Sequence, residues 1–283
     1  MQKIAVITDS CAGLSAQVAA ENDIFVLPLS IRAGGQEYRA DVDIFPADIY
    51  RILEHEIPKT SLPSIDSAIT LFQHLVSEGY THAIAVLLSG GLSGTANMMR
   101  IAGEQVPGLE LTVWDTLSGS VGCGISVLEV AADVKIGKSY EEINARLPFL
   151  LAHTQVFFSV DTLEYLQKGG RIGRVAAIAG TALQIKPILS FLPDGQLGSV
   201  AKVRGKKMVP DALCEQVGKL FVPGHRYNLV IADGGDPEGG AQLKEKLTSL
   251  FPDYERLLYG NIDSTRSCYI GPGILGAGIQ ILD

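Results

Sequence analysis

The sequence predicts an α/β protein built of two domains. Residues 1–152 are expected to form a three-layer α/β/α domain with a parallel sheet, and residues 153–283 a smaller α/β domain with a mixed sheet. Three observations lead to this prediction. Apolar strand-like runs alternate with helical patterns in the first half. Strand pairs joined by turn residues dominate the second half. The length of 283 residues also exceeds what a single core normally reaches.

The first half supplies the elements of the parallel sheet. Its strand-like runs are continuously apolar, which is typical of strands covered on both faces, and its helical stretches repeat apolar residues with a period near 3.6. The predicted strands are KIAVITD (3–9), DIFVLPLSI (23–31), HAIAVLLS (82–89) and LTVWDT (111–116). The predicted helices are LSAQVAAEN (14–22), FPADIYRILEH (45–55), SIDSAITLFQHLVSEGY (64–80), GTANMMRIAGEQV (94–106) and GISVLEVAADVKIG (124–137).

The second half has a different pattern. Two strands within residues 186–205 flank a Pro193-Asp194-Gly195 turn, which is typical of a hairpin. Further strands are expected in TQVFFSVD (154–161), YNLVIADG (227–234), YERLLYGNI (254–262) and ILGAGIQIL (274–282), and helices in TLEYLQKGG (162–170) and GRVAAIAGTALQI (173–185). We expect a mixed or antiparallel sheet with helices on one face.

Composition and charge exclude several classes of function. A net charge of −8 argues against a nucleic-acid partner and against a basic membrane-docking face. The N-terminal apolar run is interrupted by Asp9, so we expect no signal peptide, and no apolar stretch reaches the ~18 residues of a transmembrane helix. The four cysteines form no CxxC pair, and the histidines show no ligand spacing, so we expect neither a metal nor disulfides and infer a cytoplasmic protein.

The turn LSGGLSGT (88–95) is the first candidate binding site. It follows a predicted strand and begins a helix, where unpaired N–H groups favour an anion, so Ser93, Gly94 and Thr95 are candidate ligand contacts. The alternative is that Ser93 only caps the helix. A Walker loop needs a lysine that is missing here, and a nucleophile elbow needs glycine where Thr95 stands. A serine hydrolase using Ser93 is therefore a weaker hypothesis.

Two further polar stretches could serve the same crevice. The loop KTSLPS (59–64) supplies Thr60 and Ser61 as candidate hydroxyl donors, whereas Ser64 is better interpreted as a helix cap. The segment LEYLQKGGRIGR (163–174) places Arg171 between glycines, and AKVRGKK (201–207) contributes Arg204. Cations at glycine-rich turns favour a phosphate or an acidic partner, although solvated basic loops are the alternative for the lysines.

Together these stretches resemble the DegV family of bacterial fatty-acid-binding proteins, the lipid-carrying subunits of fatty acid kinase. The resemblance runs from end to end and in order. The matching motifs are ITDSCAGL (7–14), TSLPS (60–64), LSGGLSGT (88–95), WDTLSGSVGCG (114–124), TLEYLQKGGRIG (162–173), IKPIL (185–189), KVRG (202–205) and IGPG (270–273).

The resemblance implies a long-chain fatty acid as ligand, no other cofactor and no catalytic machinery. Its carboxylate would be held by Thr60, by Ser93 and by a histidine of an H-x-G-P-G motif, whose position is occupied here by Tyr269. A tyrosine hydroxyl donates a hydrogen bond but carries no positive charge at neutral pH.

The resemblance also implies partners. Arg171 and Arg204 would face the fatty acid kinase, which phosphorylates the carboxylate, and acyltransferases of phospholipid synthesis are candidate downstream partners. The alternative is a divergent lipid or small-molecule carrier without a kinase partner.

Overall fold

The computed structural model describes residues 2–178 and 184–283. In these residues the strands are β1 (Ile4–Asp9), β2 (Ile24–Leu27), β3 (Ser30–Ala33), β4 (Gln36–Arg39), β5 (Lys59–Ser61), β6 (His82–Leu87), β7 (Glu110–Asp115), β8 (Thr154–Ser159), β9 (Ile185–Phe191), β10 (Leu197–Arg204), β11 (Tyr227–Gly234), β12 (Leu257–Asn261) and β13 (Ile274–Ile281).

The helices of the same residues are α1 (Ala16–Glu21), α2 (Pro46–Ile52), α3 (Ile65–Ser77), α4 (Thr95–Gly103), α5 (Val121–Lys135), α6 (Tyr140–Ala152), α7 (Glu164–Lys168), α8 (Val209–Gly218), α9 (Pro237–Leu250) and α10 (Ser264–Ile270). Short 3-10 helices cover Ser10–Ala12, Gly173–Ile178 and Lys206–Met208. Across the described part of the chain, no helix combines the length and the apolar character needed to cross a bilayer.

A four-stranded parallel sheet with the order β2-β1-β6-β7 forms the core of the first half. Alternate residues of β1 face opposite layers, so that Ile7 packs towards α3 and α4, and Val6 packs towards α5. The predicted parallel sheet with helices on both faces is confirmed. Continuous apolar runs were the decisive pattern, because both faces of these strands are covered.

A six-stranded mixed sheet, β10-β9-β8-β13-β11-β12, forms the core of the second half. The β11–β12 pair is parallel and the other neighbours are antiparallel, and β9 and β10 make the predicted hairpin around residues 193–195. The mixed sheet is confirmed. Helices α8 and α9 of the second half cover one face of this sheet, as expected, and α5 from the first half packs against the other.

Helix α5 lies between the two sheets. Its apolar residues share one core cluster with Val6 and Val86 of the parallel sheet and with Val156 and Val230 of the mixed sheet. Twelve of its residues are buried, on all sides of the helix. A helix that is apolar all round is expected in such a position. The proposed boundary at residue 152 thus separates two sheets that share a helix.

A three-stranded antiparallel sheet, β4-β3-β5, was not predicted. The predicted strand over residues 23–31 is wrong as one element, because Pro28 lacks the N–H that a continuing ladder needs, and the chain passes from β2 into β3 of another sheet. The predicted helix over 173–185 is described only in part: residues 173–178 form a 3-10 helix, residues 179–183 lie outside the described residues, and β9 begins at Ile185.

Candidate functional site

A cavity of about 480 Å³ lies between the two sheets. One wall comes from the segments that follow β1, β6 and β7, at the carboxyl ends of the parallel strands, where open α/β sheets place their ligands. The other wall comes from β8, β9, β13 and α10. Most of the lining is apolar: Leu29, Leu62, Leu88, Leu92, Val121, Val156, Phe157, Phe158, Leu166, Phe191, Leu197, Ala232, Ile262, Ile270, Ile274 and Ala277.

The turn after β6 is held rigidly from both halves of the chain. The Ser89 hydroxyl donates to the Gly195 carbonyl oxygen at 2.8 Å and accepts from the Gly91 N–H at 3.1 Å, and the Gly90 N–H donates to the Asp115 carboxylate at 3.0 Å. A Cβ on Gly91 would lie 2.5 Å from the Gly195 carbonyl carbon. The glycines of this turn therefore allow the tip of the β9–β10 hairpin to pack directly against it.

Ser93 lines the cavity and does not cap α4. The N-cap residue is Gly94, which makes no side-chain cap hydrogen bond, and the Ser93 hydroxyl is hydrogen-bonded to the Thr95 hydroxyl at 2.9 Å. Thr95 is fully buried and does not line the cavity. The alternative interpretation of Ser93 as a simple helix cap is wrong. Either hydroxyl can be the donor in this bond, so that Ser93 can donate towards the cavity when Thr95 donates to Ser93.

Strand β5 brings a second group of hydroxyls to the same cavity. Thr60 and Ser61 both line it, and Thr60 is paired with Ile31 of β3 in the three-stranded sheet. The Leu62 side chain comes within 3.6 Å of where a Gly94 Cβ would stand, so β5 and the turn after β6 are neighbours. Ser64 accepts from the Ser67 N–H at 3.1 Å as the N-cap of α3, as predicted.

Tyr269 on α10 completes this polar part of the wall. Its hydroxyl is hydrogen-bonded to the Thr60 hydroxyl, and the Arg171 guanidinium lies over its ring with 4.9 Å between Cζ and the ring centroid. Burial raises the pKa of the Tyr269 phenol, which therefore stays protonated and able to donate. A Cβ on Gly169 would clash with the Tyr269 ring, so glycine is required there.

The two predicted arginines have different surroundings. Arg171 lines the cavity and donates from Nη1 to the Gly169 carbonyl oxygen at 3.0 Å. Arg204 is exposed at the end of β10, outside the cavity lining, and approaches the Gln184 side-chain oxygen at 3.4 Å. Arg171 thus faces the cavity, whereas Arg204 faces solvent outside it.

The sequence interpretation missed the polar residues deeper in the cavity, and we call Arg266, Thr265 and Ser120 the inner polar wall. All three line the cavity, and in each case a polar side-chain atom has no hydrogen-bond partner among the described residues. The Arg266 guanidinium forms an ion pair with Asp263 and packs against Gly119, where a Cβ would clash with Nη2. The one feature of the sequence that could have indicated this wall was Arg266, a cation three residues before Tyr269 on α10.

Asp9 lies fully buried beneath this wall. Its carboxylate accepts from the Cys11 N–H at 2.8 Å and from the Leu88 N–H at 3.0 Å, so it fixes the segments after β1 and β6 to each other. Burial raises the pKa of Asp9 to about 6, against the lowering effect of these hydrogen bonds and of Arg266.

The site offers hydrogen-bond donors and apolar surface. Within residues 2–178 and 184–283, no cluster of histidine, cysteine or carboxylate side chains has the geometry of a metal site. None of the described residues that line the cavity is a histidine, so Ser93 has no imidazole base beside it.

Residues 3–281 match the model of the DegV family. A DegV domain-containing protein of Clostridium acetobutylicum is 35% identical over 277 residues, which cover 98% of each chain. The fatty-acid-binding DegV family protein of Thermus thermophilus has a TM-score of 0.93 at 29% identity, covering 99% of this chain and 100% of that one. The stearic acid-binding protein of Eubacterium ventriosum has a TM-score of 0.90 at 26% identity, covering 99% and 98%.

Proposed function

The chain belongs to the DegV family, and on this premise we propose that it binds a long-chain fatty acid in the cavity between its two sheets. The observation that carries the proposal is the cavity of about 480 Å³, which is apolar over most of its wall and has hydroxyl groups on one part of it. This volume falls within the ~300–1,000 Å³ of small-molecule sites.

The apolar wall supplies the affinity for the acyl chain. Each buried CH₂ contributes about 0.8 kcal/mol, so a chain of sixteen or eighteen carbons gains several kcal/mol even after the cost of ordering it. The aromatic rings of Phe157, Phe158 and Phe191 and the aliphatic residues around them offer that surface. Nothing in such a site requires a reaction, which fits a carrier.

The hydroxyl groups of Thr60, Ser93 and Tyr269 would hold the carboxylate. A carboxylate removed from water is costly unless donors replace its hydration. Ser93 and one hydroxyl of the Thr60–Tyr269 pair would donate to it while the other hydroxyl of the pair keeps their mutual bond, and Arg171, above the Tyr269 ring, adds the positive charge that Tyr269 itself lacks. Ser61 and Gly94 border the same part of the wall.

We further propose that the bound carboxylate is presented to a separate fatty acid kinase in the cytoplasm, and that the acyl phosphate is carried on to acyltransferases. Arg204 is exposed outside the cavity, which suits a contact with an acidic partner surface. Arg171 lines the cavity over the Tyr269 ring, where we propose that the carboxylate binds, so it would meet the phosphate.

The test is extraction of the purified protein followed by mass spectrometry, together with calorimetric titration of the delipidated protein with palmitic, stearic and oleic acid. We expect one equivalent of a long-chain fatty acid and saturable binding. If the extract contained no lipid and the protein did not bind the added acids, the proposal would be refuted. Addition of ATP and a fatty acid kinase should then yield acyl phosphate.

A second candidate is a lipid carrier that no longer serves a kinase, and it is favoured by Tyr269 at the position of the family's histidine. Lipid binding without acyl phosphate formation by any cognate kinase would select it. A serine hydrolase finds less support, because no described cavity residue is a histidine. Labelling of Ser93 by a fluorophosphonate would reverse that judgement.

A further inference from the structure

The cavity reaches the face of the mixed sheet that packs against α5, where Gly276 of β13 and Ala232 of β11 line it. We propose that this end of the cavity receives the methyl end of the acyl chain, and that Ala232 sets the longest chain that the protein accepts. The inference rests on the proposed function and adds a limit on chain length to it.

The strand register places Gly276 between two side chains of the same face. Phe158 of β8 and Ala232 of β11 are its cross-strand partners on either side, and residues directly opposite each other share a face of the sheet. Strands two places apart are separated by about 9–10 Å. Because glycine has no side chain, this gap forms a groove for one hydrocarbon chain, whose carbons contact their neighbours at about 3.5–4.0 Å.

The space above Gly276 is open, whereas the space above Gly278 is filled. Among the described residues, a Cβ on Gly276 would meet only atoms of the two neighbouring strands, at 3.3 Å or more. A Cβ on Gly278 would lie 2.8 Å from Val156 and 2.9 Å from Val230, so packing requires that glycine. Packing does not require Gly276, and its φ is not positive. A glycine inside a strand often marks the close approach of a ligand.

The groove is blind beyond Ala232. The next residue on this face of the sheet is Gly260 of β12, which pairs with Ala232. A Cβ on Gly260 would lie 2.7 Å from the Val121 side chain of α5 and 2.8 Å from the Gly13 carbonyl oxygen. The first turn of α5 and the segment after β1 therefore cover β12, and a chain that enters over Gly276 must end at Ala232.

The polarity of the wall fixes the direction of the chain. The hydroxyl groups proposed for the carboxylate belong to β5, to the turn after β6 and to α10, none of which is part of the mixed sheet. The side chains that bound the blind end are aliphatic: Val121, Val156 and Ala232. A carboxylate at that end would lose its hydration without gaining side-chain donors. A methyl group has no such cost, so the methyl end lies there.

The test is calorimetric titration of the delipidated protein with saturated acids of 12, 14, 16, 18 and 20 carbons. Affinity should rise roughly tenfold for each two added carbons until the groove is full, and then stop rising. Ala232→Leu fills the blind end with an isopropyl group, so the rise should stop one acid earlier in the series while the 12-carbon acid keeps its affinity. An unchanged limit, or an equal loss for all five acids, would overturn the inference. Failure of the unaltered protein to bind any of them would instead refute the proposed function.

Gly276→Ala keeps the inference testable if Ala232→Leu does not fold, because its Cβ meets nothing among the described residues closer than 3.3 Å. The methyl group narrows the groove in front of Ala232. Affinity for the 16- and 18-carbon acids should therefore fall roughly tenfold, as for the loss of two buried CH₂ groups, with the 12-carbon acid unaffected. Unchanged binding of every acid would contradict a chain over Gly276. Ala241→Leu, at an exposed position of α9, is the control for added volume and should change no affinity.

Discussion

The hydroxyl groups of Thr60 and Tyr269, 209 positions apart in the chain, are hydrogen-bonded to each other in the wall of the cavity. Strand β5 and helix α10 are thereby joined at the point where we propose that the carboxylate binds. Because either hydroxyl can be the donor, a carboxylate could accept from one of them while the other keeps the mutual bond.

The first prediction concerns the charge at this point. Tyr269→His should make fatty-acid affinity rise as the pH falls from 7.5 to 5.5, because an imidazole with an ordinary pKa near ~6.5 gains a proton over that range. The protein with Tyr269 should show no such added dependence, since its pKa is raised from 10 and the phenol stays neutral. Calorimetric titration of palmitate at several pH values measures the difference between the two proteins.

The control for this change is Tyr269→Phe, which removes the hydroxyl and keeps the ring beneath Arg171. Loss of one hydrogen bond of about 1 kcal/mol should weaken palmitate binding roughly fivefold at every pH. Equal pH profiles for the histidine and phenylalanine variants would contradict a carboxylate at position 269.

The second prediction is that Ser93→Ala weakens fatty-acid binding by about ten- to a hundredfold, the range for a hydrogen bond to a charged group of about 1.5–3 kcal/mol. The fold should be retained, because Gly94 is the N-cap of α4 and Ser93 makes no cap hydrogen bond. Titration with palmitate and a thermal melt are the two measurements.

Ser64→Ala is the matched serine control. The Ser64 hydroxyl caps α3, so its loss should lower stability by about 1 kcal/mol without changing affinity. If the two variants had the same effects, Ser93 would be a structural residue and not a ligand contact.

The third prediction concerns the contact between the turn after β6 and the β9–β10 hairpin. Gly91→Ala places a Cβ 2.5 Å from the Gly195 carbonyl carbon, which is backbone and cannot rotate away. We expect a loss of about 1–3 kcal/mol in the free energy of unfolding, measured in urea, together with weaker lipid binding.

Gly218→Ala tests whether any added methyl group has this effect. A Cβ at Gly218, in α8, meets Phe251 at an ordinary 3.6 Å and replaces a helical glycine. Its stability should be unchanged or up to about 1 kcal/mol higher. A comparable loss in both variants would show that the close contact at Gly91 is unimportant.

The fourth prediction concerns Asp9. Its pKa is about 6 in the folded protein and 3.8 for a free carboxyl, so the native state keeps a proton that the unfolded state has released. This contribution to stability is fully present below pH ~4 and is lost as the pH rises through 6, with a total near 3 kcal/mol. In Asp9→Asn that pH dependence should disappear.

Urea unfolding at pH 4, 5, 6 and 7 measures this effect as the difference between the two proteins, which cancels the other carboxyl groups. Asp9→Asn should be less stable throughout, because an amide has one acceptor oxygen for the two N–H groups of Cys11 and Leu88. The deficit should be largest at pH 4. A deficit that grew with pH would contradict the raised pKa.

The fold was largely predictable, because most strands of the two large sheets are long and the strands of the parallel sheet are buried on both faces. The runs at 3–9 and 82–89 have continuously apolar centres, at 4–7 and 83–88, which are typical of a parallel sheet covered on both faces. The small sheet β4-β3-β5 was missed because β5 has three residues and β4 is mostly exposed, so neither has a clear period.

The residues of the candidate site that lie within recognisable sequence motifs could be predicted. Thr60, Ser93 and Tyr269 all line one cavity, although the sequence separates them widely. The inner polar wall was not predicted, because a lone arginine in the sequence is normally solvated, and only the packing of α10 against Gly119 shows that this one is buried. The apolar residues that line the cavity could not be predicted either, because the cavity wall and the packed core are built of the same residue types.

The position of α5 has a consequence for how lipid enters and leaves. Because this helix forms the core of both halves at once, the sheets cannot part about a hinge without breaking a continuous apolar interior. We therefore expect entry to depend on local displacement of peripheral segments such as β5 and the adjacent Leu62, which is 38% exposed. The same geometry makes the chain a single cooperative unit, so that heating should melt both sheets in one calorimetric transition.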